Sequence, residues 1–323
     1  MSTRPFRFAV QATRATSAAE WRDLARQVED RGYATLFVAD HYLGPGPAAH
    51  SASQPPQHLA PIAAMATAAA VTSTLRVGCR VFCVDYHVPA ALAKEAATLD
   101  LLSDGRLELG IGAGWSEPEY RALGLTFGPA GERVTKLQEV VGLLKAHWSG
   151  GELDVRGAHV TAAGYAGLPA PVQRPHPPIM IGGARRRVLS FAGREADIVS
   201  INNVPFAVGE DGLTPGQEAE RRLGYVREAA GGRFAGLDIE SSPFFTLVTD
   251  DADRAAGAFA KVARMVGADL DELADHPNVL IGPAGELAER LQARRERFGV
   301  NYVTIQQNQV EAFAPLVAQL AGR

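Results

Sequence analysis

The chain has 323 residues, 46% of them hydrophobic and 21% charged, with a formal net charge of −4 at pH 7. This length suits one large α/β barrel or two medium domains, either of which buries a full core. A slightly acidic balance with no basic block argues against nucleic acid or an anionic membrane as partner and leaves a small molecule as the expected one.

The opening residues, MSTRPFRFAV, run into a strand-like stretch without the apolar core of a signal peptide, and no apolar run reaches the roughly 18 residues of a membrane span. A cytoplasmic protein is the expectation. Residues 6–11 alternate as a short strand, and 17–31 read as a helix opened by a capping box, Ser17 at the cap and Glu20 three residues on, and ended by Gly32. A second strand, 34–39, delivers Asp40 and His41 to its C-terminal end. The loop 42–57, rich in Pro, Gly, Ala and Ser, has no periodicity and is long enough to be functional.

A helix over 59–71 leads to a strand over 76–84, followed by Asp85, Tyr86 and His87, and Pro89 starts the next helix, 89–102. Cys79 and Cys83 lie four apart in that strand, roughly 13 Å at about 3.3 Å per residue, too far for a disulfide. They read as buried thiols. The stretch 99–125, LDLLSDGRLELGIGAGWSEPEYRALGL, holds a turn at 103–105, a strand over 106–112 and a loop carrying Trp115, Glu117 and Glu119. Gly110, Gly112 and Gly114 alternate, which either lets the backbone approach a ligand and expose N–H groups to an anion or only permits a sharp turn. Counted as GxGxxG from Gly110, the third glycine is Trp115, and from Gly112 it is Glu117. The dinucleotide fingerprint therefore fails.

Residues 130–148 form a long amphipathic helix with Val134, Leu137, Val141 and Leu144 on one face. Residues 150–178 break the rhythm and read as a hairpin insertion, with β-like pieces at 153–155 and 159–161 and an extended connector. The alternation resumes with strand 178–181, a turn at Gly182-Gly183, helix 185–194 and strand 196–201, which ends in Asn202 and Asn203 beside a loop over 204–213. Helix 214–230, strand 239–248, helices 252–266 and 283–297, strand 302–307 and a closing helix to about residue 320 complete the chain. That makes eight strands separated by helices. Parallel strands with right-handed crossovers in that number close as a (β/α)8 TIM barrel, an α/β fold, here one domain over 1–323 with its insertion at the C-terminal mouth.

The Asp40-His41 pair, the block RVGCRVFCVDYHVPAALAKEAATLDLLSDGRLELGIGAGW over 76–115, PVQRPHPPIMIGG over 171–183 and ADIVSIN over 196–202 together resemble the luciferase-like monooxygenase superfamily, most closely its actinobacterial branch of coenzyme F420-dependent oxidoreductases. The resemblance covers nearly the whole chain in order. It implies a barrel that binds a flavin or the deazaflavin F420 at the C-terminal ends of its strands, and a homodimer. It places a non-proline cis peptide behind the ring at Arg80 and Val81, where Arg80 departs from the small or apolar residue expected. Asp40 and His41 match the acidic-histidine pair near the reactive face: His41 donates to a substrate oxygen or shuttles a proton, and Asp40 orients it or contacts the ring edge.

By the same resemblance, Gly112, Ala113, Gly114 and Trp115 contact the cofactor side chain and Gly182 and Gly183 its phosphate, before a helix N-terminus that favours an anion. Arg185, Arg186 and Arg187 follow, either solvated or placed to neutralise a phosphate or the acidic polyglutamate tail of F420. Glu117 lies where some F420-dependent relatives keep a catalytic glutamate. Trp115, Tyr86 and His87 are candidates for the substrate pocket, as are Asn202 and Gln306 at strand ends.

The reading that results is an F420-dependent oxidoreductase moving a hydride between the deazaflavin and a small organic substrate. An FMN-dependent monooxygenase using O2 and a non-catalytic flavin- or F420-binding protein are the alternatives. The eight histidines show no HxH or HExxH spacing, so no metal site is expected.

Overall fold

The strands TLFV, LELGIG and IVSI are buried at every residue, the mark of parallel strands covered on both faces rather than of a sheet with one wet side. The computed structural model describes residues 4–52 and 55–323. Its strands are β1 (Arg7–Ala12), β2 (Thr35–Val38), β3 (Arg76–Cys83), β4 (Leu107–Gly112), β5 (Glu152–Arg156), β6 (Thr161–Ala166), β7 (Ile179–Gly183), β8 (Ile198–Ile201), β9 (Asp238–Ser241), β10 (Phe245–Val248), β11 (Val279–Gly282) and β12 (Val300–Gln306). Eight of them close a barrel in the order β1-β12-β9-β8-β7-β4-β3-β2, with parallel pairing from β2 to β4 and from β8 through β9 to β12. The TIM barrel read from the sequence is the observed fold.

The helices are α1 (Ala18–Asp30), α2 (Pro47–Ser51), α3 (Pro61–Ala70), α4 (Pro89–Leu102), α5 (Glu117–Ala122), α6 (Ala130–Trp148), α7 (Arg186–Glu195), α8 (Pro215–Ala230), α9 (Ala252–Val266), α10 (Leu270–Asp275), α11 (Ala284–Phe298) and α12 (Val310–Leu320). Among the described residues, none is long and apolar enough to cross a membrane. Backbone contacts divide the chain into two compact units, one of Met1–Val10, Asp30–Ala34 and Ile181–Arg323, the other of Gln11–Glu29 and Thr35–Met180.

In the second unit, α4 and α6 bury Leu92, Ala93, Ala96, Leu137, Val141 and Leu144, each large aliphatic chain contributing about 1.5–3 kcal/mol by leaving water. Trp148 Nε1 donates to Ala93 O at 2.9 Å. Buried Asp100 accepts from the backbone of Val172 and Gln173 at 2.7 and 3.0 Å, tying the connector after the hairpin to α4. The hairpin itself is antiparallel β5–β6, its second strand lying at 161–166 rather than 159–161 because Val160 N and the two preceding N–H groups are taken by Glu139. Cys79 and Cys83 are free and buried.

In the first unit the rings of Phe6 and Phe8 stack and Phe313 tilts against Phe8. Here the expected strand 239–248 divides. Its first half, β9, belongs to the barrel, and after Ser242, Pro243 and Phe244 its second half, β10, pairs outside it with β11. Sequence periodicity missed β11 and α10, since a four-residue apolar run carries no period. Two caps also differ from expectation. Ser17 Oγ accepts from Glu20 N at 3.1 Å, but the Glu20 carboxylate turns to Thr16 N and Oγ1 at 2.6 and 2.7 Å, so the box does not close on Ser17. A complete capping box stands instead at Thr214 and Gln217 of α8. The loop 42–57 contains α2, and its residues 53 and 54 lie outside the described residues.

Candidate active site

β2 ends in the apolar run 36–38, continued by Ala39, and the chain then turns polar, so Asp40, His41 and Tyr42 emerge together just past its C-terminal end. Asp85, Tyr86 and His87 follow β3 in the same way, one intervening residue past its end, after a register shift of β3 against β4 between Cys79 and Phe82. The Arg80–Val81 peptide within that shift is cis. Arg80 is half-buried with Nη1 donating to Gln11 Oε1 at 2.7 Å, and Val81 packs where β4 has glycine.

The two triplets are joined crosswise by two carboxylates. Buried Asp40 accepts from Cys83 N at 2.8 Å and from His87 Nε2 at 2.9 Å, and Tyr42 donates its hydroxyl to the same group. Glu119 on α5, 1% exposed, takes the other set: His41 Nδ1 at 2.5 Å, Tyr42 N at 2.7 Å and the Tyr86 hydroxyl. Burial opposes ionisation of Glu119, yet the hydrogen bonds from His41, Tyr42 and Tyr86 hold its carboxyl below the usual range. Burial, with the carboxylates beside them, pushes the Tyr42 and Tyr86 hydroxyls up, so both remain protonated donors. Asp40 therefore orients His87, and Glu119 orients His41. The sequence paired Asp40 with its neighbour His41, and a strand's alternation explains the difference: consecutive residues leave the backbone in opposite directions.

Behind them, Tyr120 Oη donates to Asp85 Oδ2 at 2.7 Å and Lys136 Nζ to Asp85 Oδ1 at 2.6 Å, with Cys83 Sγ 3.1 Å from Tyr120 Oη. Burial raises the Cys83 thiol to about 11, so it stays protonated. This network fixes α5 and α6 to the loop after β3. Trp115 is 57% exposed, its ring edge-on to His41 at 6.0 Å. Glu117 is not brought into the cluster: it is exposed on the outer face of α5, paired with Arg121 at 2.6 Å. Glu119 is the residue sequence reasoning did not assign. The signal for it was that same Glu117–Arg121 spacing of four, which marks one face of α5 as solvated and turns Glu119 and Tyr120 inward.

The glycines have packing reasons of their own. A side chain at Gly112 would come within 2.9 Å of Val81 Cγ2. Gly114 has φ +74°, and a methyl there would overlap the Tyr120 hydroxyl. In the other unit, a side chain at Gly183 would overlap Val188. Asn202 is engaged, donating to Ser200 Oγ and accepting from Ser242 N at 3.3 Å, and Gln306 ends β12 half-buried.

The luciferase-like monooxygenase family matches residues 2–265. This chain belongs to that family. Over 184 residues it is 34% identical to the uncharacterized protein Rv0953c of Mycobacterium tuberculosis, a match covering 54% of this chain and 64% of that relative's length. An FMNH(2)-dependent dimethylsulfone monooxygenase of Pseudomonas putida is 34% identical over 109 residues, 34% of this chain and 30% of that one. A coenzyme F420-dependent tetrahydromethanopterin reductase from Methanopyrus kandleri shares the fold with a TM-score of 0.72 at 18% identity, over 98% of both chains. The sequence relative is thus named for reduced FMN and the protein that shares the fold for F420.

Two observations bear on whether this family member's own residues fit such a group. Ser116 Oγ, in the loop after β4, is buried with no hydrogen-bond partner. Arg185, the cap residue of α7, is exposed, its guanidinium has no protein partner among the described residues, and it lines a cavity of about 380 Å³ with Asn203, Arg221 and Arg222. Of these arginines, Arg221 is neutralised by Asp211 and Glu218, and Arg222 by Glu218. Arg185 is the uncompensated cation there. Each by itself suits a phosphate group: the Ser116 hydroxyl as an unfilled hydrogen-bonding group, and the Arg185 guanidinium as an unpaired cation just past β7, whose last two residues are Gly182 and Gly183 rather than the expected turn.

Proposed function

We propose that this luciferase-like enzyme is an F420-dependent oxidoreductase that moves a hydride between the deazaflavin ring and a small organic substrate. The observation that carries the reading is His41: its Nδ1 is held by a buried carboxylate while its Nε2 has no partner among the described residues, at the C-terminal end of a barrel strand. A ring so held transfers a proton at a substrate oxygen through Nε2, and Glu119 balances the charge when that atom is protonated. When bound, the cofactor supplies the hydride donor or acceptor. Arg80, Val81 and the run Gly112 to Trp115 with Ser116 would hold it, and Gly182, Gly183 and Arg185 are a separate candidate for a phosphate contact. Asp40 contributes indirectly, through His87 and the Cys83 backbone. The reading includes a homodimer, which light scattering checks.

A second reading, an FMN-dependent monooxygenase using O2, is favoured by the 34% identity to the dimethylsulfone enzyme. Titration of the purified protein with F420 and with FMN, followed by tryptophan fluorescence at matched ionic strength, separates the two. Micromolar or tighter F420 binding with FMN at least tenfold weaker, about 1.4 kcal/mol, is the expected result. The reverse preference supports the monooxygenase, and binding of neither sinks both.

A further inference from the structure

Glu119 offers its two oxygens to different donors, Oε1 to the backbone N–H of Tyr42 at 2.7 Å and Oε2 to His41 Nδ1 at 2.5 Å. A backbone N–H has no alternative role, so Oε1 is committed as an acceptor. Oε2, also an acceptor, obliges His41 to carry a proton on Nδ1. The groups facing His41 from every side agree with this. Tyr86 donates to Glu119, Tyr42 donates to Asp40, and His87 is itself turned to Asp40. Trp115 meets the imidazole with a ring edge.

We propose that Glu119 is a positioning residue for the reaction: it fixes neutral His41 in the Nδ1–H form and so leaves Nε2 as the basic atom that takes the substrate proton. His87 is the opposite case. Its Nε2 is locked on Asp40, so the two imidazoles present different nitrogens and only His41 is set to act through Nε2. The inference rests on the oxidoreductase reading for its catalytic meaning, but the tautomer itself is a property of the ligand-free chain.

The isosteric variant E119Q makes the test sharp. The carboxamide introduced there still has to accept from Tyr42 N, which turns its oxygen to the backbone and its NH2 to His41 Nδ1. Nδ1 must then accept, and the neutral ring carries its proton on Nε2. The side chain keeps its volume while the basic atom is lost.

The experiment is a long-range 1H–15N spectrum of ligand-free protein with 15N-labelled imidazoles, at a pH where the histidines are neutral, with H41N to assign the signal. Wild type is expected to show His41 protonated on Nδ1, E119Q on Nε2, and E119D, which keeps the charge, on Nδ1 again. The same tautomer in wild type and E119Q overturns the proposal. If E119Q does not fold, the wild-type spectrum decides, and an Nε2–H signal there overturns it equally. Turnover with the cofactor that binds gives the second readout: E119Q is expected to lose about 10²–10⁴-fold in kcat with KM changed little. A variant that inverts its tautomer yet keeps kcat overturns the catalytic half. Failure of both cofactors to bind would sink the oxidoreductase reading and leave the tautomer result standing.

Discussion

Tyr120 Oη donates to Asp85 Oδ2 at 2.7 Å, and the Gly114 backbone passes so close beneath that hydroxyl that no side chain fits between them. Removing the hydroxyl in Y120F leaves Asp85 with Lys136 alone, and a partly buried hydrogen bond to a carboxylate lost in this way is expected to cost about 1–3 kcal/mol. G114A is expected to cost more, about 2–4 kcal/mol, since positive φ and overlap act together. Urea unfolding of the two variants and their double mutant checks this. Y120F should partly relieve G114A, but not fully, because Cys83 Sγ at 2.8 Å still crowds the new methyl. Strict additivity of the two would sink the account.

His276 supplies the pH prediction. Its ring lies flat on Phe206 at 4.3 Å, donates Nε2–H to Pro205 O at 2.9 Å and accepts from Asn278 N at 3.0 Å. Burial, with the charge of Arg294 nearby, lowers its pKa to about 4. The unfolded chain binds that proton near pH 6.5 and the folded one does not until about 4, so the stabilisation is complete above about 6.5 and is lost as pH falls from there to about 4. Its size is on the order of 3 kcal/mol. H276Q should flatten the dependence of unfolding free energy on pH between 6.5 and 4. An unchanged slope in that variant would place the acid sensitivity elsewhere.

The barrel was legible because its signals are local: Pro89 opens α4 where the sequence expected a helix to start, and the apolar runs of β2, β4 and β8 announce strands buried on both faces. The site was legible only as a list of polar residues at strand ends. Which carboxylate meets which histidine depends on how β2, β3 and α5 pack, and no spacing connects residue 41 to 119 or 40 to 87. The glycines show the same limit. Their alternation at 110, 112 and 114 was visible, but that Val81 and Tyr120 are what demand them follows from contacts between elements.

Glu117, the acidic residue that sequence likeness marked for chemistry, is predicted to be dispensable for folding. It is exposed and bound to an exposed Arg121 four residues on, and such pairs contribute about 0.3–0.5 kcal/mol. E117A should unfold within about 0.5 kcal/mol of wild type, whereas E119A, which strips the acceptor from His41 and Tyr42, should lose several times as much. Thermal or chemical denaturation of the pair compares them directly. Equal losses would mean that α5 is turned the other way.

Arg185 is where cofactor binding is most cheaply tested. As an exposed residue whose side chain has no protein partner among the described residues, it can be changed without leaving a buried group unsatisfied, so R185A is expected to keep wild-type stability within about 0.5 kcal/mol. If it meets a phosphate through a charge-assisted contact, its loss should weaken F420 binding by about tenfold, and by more at low ionic strength, where that attraction is least screened. R221A serves as the comparison: it lines the same cavity, but its charge is already spent on Asp211 and Glu218, and its removal should change affinity far less. Titrations of the three proteins at two salt concentrations decide the matter. An R185A affinity equal to wild type at low salt would remove this cavity from the cofactor's path and leave the anion contact to be sought at the loop after β4.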